Sequence, residues 1–316
     1  MNSIFIIIIN WNGKEDTINC LRSLEKIKDP FETIVIDNGS IDNSTETLRL
    51  LFPNITLIET GKNLGFAGGN NVGIQYALDQ GGKAIFLLNN DTIVDPDILN
   101  AFQLAVHNHP EAAIFGAKNY LFDSPLQLDH FGGMWNKKKA NFDLIGHRLM
   151  DDGHSWEEEM EIDYVCGCSF FIKREVIDAI GLLDPRFFLI WEESDFCFRA
   201  KKAGFLTMTC PKAKIWHKVS ASFIGKPHST YFWWRNRLLW IERHSSLLEK
   251  GKILLIILPE IFNLLKLNIL KSLQNFFHPT DRRLLRQRCY RAALWGIKDY
   301  ILRRFGNGPD WIIRGK

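Results

Sequence analysis

Apolar positions open this chain in short unbroken runs and then recur at helical spacing. Residues 4–9 are continuously apolar and mostly Ile, and the runs at 33–37, 55–59 and 84–88 repeat the pattern. Runs of this length and β-branched content predict strands buried on both faces. Between them, residues 14–26, 44–52 and 68–80 carry the spacing of amphipathic helices. The alternation predicts an α/β fold, a parallel sheet with helices on both faces. Ligands in such sheets bind beyond the carboxyl ends of the strands. That is where the polar clusters fall: Asn10-Trp11-Asn12-Gly13, Asp37-Asn38-Gly39-Ser40 and Asn89-Asn90-Asp91.

The pattern weakens from 115 to 164, which reads best as loops and short strands; long loops in compact domains are usually functional. It turns regular again from 165. An apolar stretch runs to 172 and a helix spans 174–180. The aromatic run 187–191 then leads into an acidic helix from Glu192 to 203, and two short strands (206–209 and 213–216) lead to His217. Residues 230–244 form an aromatic, basic helix pattern. Residues 253–270 are apolar but interrupted by Pro259, Glu260, Asn263, Lys266 and Asn268, and 282–304 is basic and amphipathic. A clean membrane span needs ~20 apolar residues. An interfacial helix fits this tail better, with packing against the preceding domain as the competing explanation.

Hydrophobic residues make up 46% and charged residues 24% of the 316, which excludes a disordered or collagen-like chain. The six cysteines match neither zinc nor thioredoxin spacing, so they read as reduced, packed thiols. The apolar run at 4–9 has no basic flank of a secretory signal, and the expectation is a cytoplasmic protein. The net charge of +3 conceals an asymmetry. From Lys250 to Lys316 there are 14 basic and 4 acidic residues, net +10; the remainder holds 25 and 32, net −7. A basic, apolar-rich tail suits an anionic lipid surface. Nothing in the pattern calls for a nucleic acid.

Several polar residues carry candidate chemistry. Asp37 closes a buried strand and can accept hydrogen bonds from a base or a ribose, or equally cap the turn with Ser40 and Asp42. The glycine-rich segment from Asn63 to Asn71 opens a helix and can bring backbone N–H groups to a phosphate, although its glycines do not follow the dinucleotide fingerprint. Asp91 can hold a hard divalent cation or simply close a strand-end turn. Glu192, Glu193 and Asp195 suit a helix start, yet acids crowded beside an aromatic run are also candidates for a general base with a raised pKa. His217 is a metal-ligand candidate or a structural histidine.

In this order the motifs resemble the inverting glycosyltransferases of family 2, which have the GT-A fold. The resemblance is carried by residues 5–13, 35–40, 63–73, 86–97, 165–175 and 183–217, and is nearest to the rhamnosyltransferase-like branch. It implies a catalytic domain over 1–225 that binds sugar nucleotide and acceptor, and a helical extension over 226–316. Asp37 and Asn38 would serve the nucleotide, with Asn10 and Trp11 forming its pocket. Asn63, Gly65, Phe66 and Asn70 would contact the diphosphate side. Asn89-Asn90-Asp91 stands at the family's metal motif, with Asn89 replacing the usual first Asp; Asp91 and His217 would hold Mg2+ or Mn2+. Glu193 falls at the position of the catalytic base, usually Asp, and Asp195 at the next acid, an acceptor or orienting contact.

The implied partners are a nucleoside-diphosphate sugar, with deoxythymidine-diphospho-rhamnose first and uridine-diphosphate sugars second, and a glycan or lipid-linked acceptor. The implied location is the inner face of the cell membrane. The oligomeric state is unknown from sequence. A catalytically silent assembly subunit is the rival from another class, disfavoured by the joint retention of Asp91, Glu193, Asp195 and His217. A nucleotidyltransferase would want more than Lys14 near the first strand.

Overall fold

Each of the four apolar runs forms a strand of one sheet. A computed structural model describes residues 3–219, 226–277 and 280–313, without the side chain of Ile313; the expected domain boundary at 225 lies outside them. Strands β1 (Ile4–Asn10), β2 (Glu32–Asp37), β3 (Thr56–Glu59) and β4 (Ala84–Asn89) are parallel. Helices α1 (Lys14–Leu24), α2 (Ser44–Leu51) and α3 (Gly65–Asp79) connect them. Side chains alternate across the pleat. Ile4, Ile6 and Ile8 enter one core, whereas Phe5 and Ile7 enter the other beneath Ala67 and Ile74 of α3. Both faces of β1 are therefore apolar, as the unbroken run requires.

The chain continues through β5 (Thr92–Val94), α4 (Ile98–Asn108), β6 (Ala112–Leu121), β7 (Ser124–His130) and the hairpin β8 (Gly133–Asn136)–β9 (Asn141–Leu144). Then follow β10 (Ser169–Lys173), α5 (Arg174–Ile180), α6 (Glu192–Lys202) and β11 (Leu206–His217). Among the described residues the main sheet has the order β3-β2-β1-β4-β10-β6-β11-β5, with β7 also on β6. β10 is antiparallel to both of its neighbours. β2 and β4 flank β1, so the chain reverses direction there and opens a crevice at the strand ends. Register brings the polar residues together, pairing Asn10 with Asp37 and Ile9 with Asn89.

Three sequence expectations change. The middle segment contains the ten-residue central strand β6, which its surrounding charge runs conceal; one of the acids, Glu157, pairs with the fully buried Lys118 of that strand at 2.6 Å. The two strands expected at 206–209 and 213–216 are one, with a register shift between Cys210 and Lys214 at Pro211. Helix α3 begins at Gly65, three residues early, because the Phe188 carbonyl accepts hydrogen bonds from the N–H groups of Phe66 (2.6 Å) and Ala67 (3.3 Å). Gly65 has φ +73°, and a Cβ there would stand 2.3 Å from that carbonyl. Only glycine fits.

The C-terminal elements are α7 (Pro227–His244), α8 (Leu247–Phe277), α9 (Asp281–Ile301) and α10 (Asp310–Ile313). α8 runs unbroken through Pro259, because tertiary ties hold both sides of the proline: Ile253 and Ile257 are buried and Arg237 binds Glu260 at 2.5 Å. α7 packs along α9, where a Cβ on Gly296 would stand 2.4 Å from the Tyr231 carbonyl. A third core joins Phe187 and Trp191, before α6, to Trp234 and Trp240 of α7, Ile257 of α8 and Ala293 of α9.

Candidate active site

A cavity of about 280 Å3 lies beyond the carboxyl ends of β1 and β4. Trp11, Asn38, Asn63, Gly65, Phe66, Asn90 and Asp91 line it, seven of the residues expected from sequence. Ile9, Asn89, Phe188, Leu189, His228 and Phe232 complete it. His228 and Phe232 belong to α7, so the C-terminal extension supplies part of the wall. No local pattern marked them; only packing brings α7 back to the strand ends.

The polar floor is pre-organised. Asn10 is fully buried behind the cavity; its Nδ2 donates to Asp37 Oδ2 (2.9 Å) and Ser40 Oγ (3.0 Å), and its Oδ1 accepts from Gly13 N and Thr17 Oγ1. The second oxygen of Asp37 takes the Ser40 N–H at 2.9 Å. Asp37 is thus a turn cap, buried next to the crevice but outside the cavity lining. Asn38 accepts from Leu64 N and donates to the Gly65 carbonyl, tying β2 to the glycine-rich loop. Asn70 is buried and stays outside the lining, with its side-chain Nδ2 lacking a partner. Asn90 donates to Thr17 Oγ1 at 3.0 Å.

Asp91 and His217 meet although 126 residues separate them in sequence. His217 Nε2 lies 3.2 Å from Asp91 Oδ1, and Nδ1 faces Asp129 Oδ2 at 3.8 Å without a hydrogen bond. Burial alone would push the imidazolium down, but the two flanking carboxylates outweigh it and raise its pKa to about 10. Among the described residues no group of three or more His, Cys, Asp or Glu is arranged to hold a metal ion. The pair still suits a hard cation whose other ligands are phosphate oxygens. Asp129, on β7, lies on the far side of that imidazole.

Glu193 lies at the start of α6, half-buried, with one carboxylate oxygen unpartnered. Burial is the largest influence on it and, with the charge of Cys166, raises its pKa to about 7, against the pull of His130 and the Gly167 N–H. A Cβ on Gly167 would lie 3.1 Å from the Phe66 ring and 3.8 Å from the Glu193 carboxyl carbon, so the acid lies close to Phe66 of the cavity wall without lining the cavity itself. Glu192 is buried, and burial followed by the charge of Glu193 holds it well above the ordinary carboxylate range.

Asp195 departs from expectation. It has no exposed surface; Oδ1 accepts from Arg243 Nε (2.7 Å) and His244 Nε2 (2.8 Å), and Oδ2 from Arg199 Nε (2.8 Å). With no exposed surface, it offers no oxygen to an acceptor hydroxyl. The His244 hydrogen bond and the charges of Arg199 and Arg243 outweigh burial and lower its pKa to about 2, and the carboxylate ties α6 to the end of α7.

The loop between cavity and acid is held from α7. Phe188, Ile190 and Trp191 all have positive φ, at 64°, 69° and 78°, conformations that cost ~1–3 kcal/mol each in non-glycine residues. Asn236 Nδ2 lies 2.7–2.8 Å from the carbonyls of Phe187, Leu189 and Ile190, and Arg235 adds Phe187 O at 2.8 Å. Neither residue stood out in the sequence, since a polar pair in a basic helix reads as solvated surface.

Strand order and polar strand ends beside the cavity are those of the GT-A fold. The sequence signature of Glycosyl transferase family 2 matches residues 5–181, more than half of the chain, and the chain belongs to that family. It is 27% identical over 247 residues to the low-salt glycan biosynthesis hexosyltransferase Agl10 of Haloferax volcanii, covering 76% of this chain and 75% of that one. It is 26% identical over 262 residues to the N-acetylglucosaminyl-diphospho-decaprenol L-rhamnosyltransferase of Mycobacterium tuberculosis, covering 70% and 82%. The fold also matches the mannosyltransferase PcManGT of Pyrobaculum calidifontis, solved with GDP-Man and Mn2+, at a TM-score of 0.57 and 14% identity over 95% of this chain and 87% of that one.

Proposed function

We propose that the chain transfers a hexose, with rhamnose as the leading candidate and deoxythymidine diphosphate as its carrier, to a hydroxyl of a lipid-linked glycan, with inversion at the anomeric carbon. Uridine-diphosphate sugars are the second choice of donor. The observation that carries this reading is Glu193, a half-buried acid with a free oxygen and a pKa raised to about 7, close to Phe66 of the cavity wall. Glu193 removes the acceptor proton while that oxygen attacks the anomeric carbon and the nucleoside diphosphate leaves. One displacement needs no covalent nucleophile. Asp37 and Asn38 orient the nucleoside, Trp11 and Phe66 wall it in, and the loop from Asn63 places its amides toward the diphosphate. Asp91 and His217 would hold Mg2+ or Mn2+, which supplies positive charge against the leaving diphosphate when bound.

The acceptor is presented at a membrane. α8 exposes Leu255, Phe262, Ile269, Leu273 and Phe276 along one stripe, and the tail carries net +10. The helix is long and apolar enough to cross a bilayer by length and composition. The interrupting charged residues and the basic neighbours fit a cytoplasmic enzyme lying on the inner face better. The test is thermal shift against a panel of nucleotide sugars with and without Mn2+, for wild type and Asp91→Asn. The reading expects a Mn2+-dependent shift with one donor, weakened in the variant. Indifference to every nucleotide sugar would overturn it.

A further inference from the structure

Cys166 and Cys168 are not needed by the reaction above, yet they lie beside its proposed residues. The Ser169 N–H donates to the Cys166 carbonyl at 3.2 Å, closing a tight turn over 166–169. That turn places the two sulfurs 3.3 Å apart. A disulfide needs about 2.05 Å, so the sulfurs have little more than ~1 Å to close. Cys166 is half-buried, whereas Cys168, Cys20, Cys197 and Cys210 are buried. The turn touches both halves of the site. Gly167, between the cysteines, lies against Glu193 and Phe66, and the Cys168 carbonyl accepts the Asn89 N–H at 3.1 Å.

We propose that Cys166 and Cys168 form a thiol-modification site, a dithiol that small-molecule disulfides convert into a Cys166–Cys168 disulfide, and that this oxidation disables transfer. The second half rests on the reading of Glu193 as the base. The Cys166 thiolate attacks one sulfur of R–S–S–R, forming a mixed disulfide and releasing the first thiolate. The Cys168 thiolate then attacks the Cys166 sulfur and displaces the second. Two electrons pass from the protein to the reagent, and the two protein protons end on two molecules of R–SH. Drawing the sulfurs together retightens the turn around Gly167, moving its N–H away from Glu193 and pulling the Cys168 carbonyl on the Asn89 loop.

The full-length protein, exposed to oxidised glutathione and then alkylated, tests this by peptide mass. The expected result is a peptide spanning 166–168 that is two hydrogens lighter and unalkylated, restored by dithiothreitol. Cys168→Ala and Cys166→Ser abolish that species; a mixed disulfide at Cys289 adds mass instead and is told apart. Recovery of both thiols alkylated after the exposure overturns the site. In parallel, donor turnover of the oxidised wild type is expected to fall by ~10²-fold or more, the lower end of general-base assistance, and to return on reduction. Unchanged turnover with the disulfide formed overturns the regulatory consequence. Absence of turnover in the reduced protein counts against the transferase reading and leaves the mass result standing.

Discussion

The side-chain amide of Asn236 donates to the backbone carbonyl of Ile190 at 2.8 Å, fastening a helix of the C-terminal extension to the residue three before Glu193. The same amide reaches Phe187 and Leu189, and the intervening Phe188 carbonyl starts α3 through Phe66 and Ala67. Donor loop and candidate base are thus set relative to each other by one asparagine. Asn236→Ala leaves buried carbonyls unsatisfied at ~1–3 kcal/mol for such a group and frees three residues of positive φ. A drop in melting temperature and a larger fall in kcat than rise in donor KM are expected. Asn236→Asp, which turns a carboxylate toward those carbonyls, should be at least as damaging.

As the proposed base, Glu193 sets the expected pH dependence. With its pKa near 7, it is protonated and idle in acid, so kcat/KM should rise as pH climbs through about 7. Glu193→Gln should lose ~10²–10⁴-fold in turnover while still binding nucleotide sugar. Between its ordinary value of 4.5 and about 7 the folded chain holds a proton that the unfolded chain has released. This acid therefore makes stability fall as pH rises. Glu193→Gln should flatten that decline in a pH series of thermal melts.

Asp195 behaves in the opposite sense. Its pKa is lowered from 3.8 to about 2, so its contribution to stability is present above about 4 and is lost as pH falls toward 2. Asp195→Asn leaves Arg199, Arg243 and His244 facing a neutral group and should cost ~3–5 kcal/mol at pH 7. The gap to wild type should close in acid. Urea unfolding at pH 7 and at the lowest pH that keeps the wild type folded measures this.

The exposed stripe of α8 predicts membrane binding that point changes can remove. Truncation beyond 250 would also strip α9 from α7, so Leu255→Glu with Phe262→Glu is the cleaner variant. Both side chains are exposed, at 73% and 67%, so stability should hold while flotation with anionic liposomes is lost. Equal flotation of variant and wild type would place the contact elsewhere.

Local sequence was enough for strands β1 to β4, their parallel sense and their polar ends, because a six-residue β-branched run has few ways to bury both faces; the antiparallel β10, β7 and β5 escaped it. The nearness of Asp37 to Asn10 followed from that geometry. Once the family's motif order was visible, it pointed to Glu193 and Asp195 alike. It could not separate Glu193 from Asp195. The two lie two residues apart on one helix and so point to different sides. One faces Gly167 and Phe66; the other faces Arg199, Arg243 and His244, and no local pattern states what lies opposite a helix face. The same limit hid Asp129 beside His217, His228 and Phe232 in the cavity wall, and Asn236 under the 187–191 loop. Composition separated an acidic body from a basic tail, but packing decided that the tail's first helix helps build the site. Burial and charge pairing depend on contacts between distant segments, and only the folded chain brings those together.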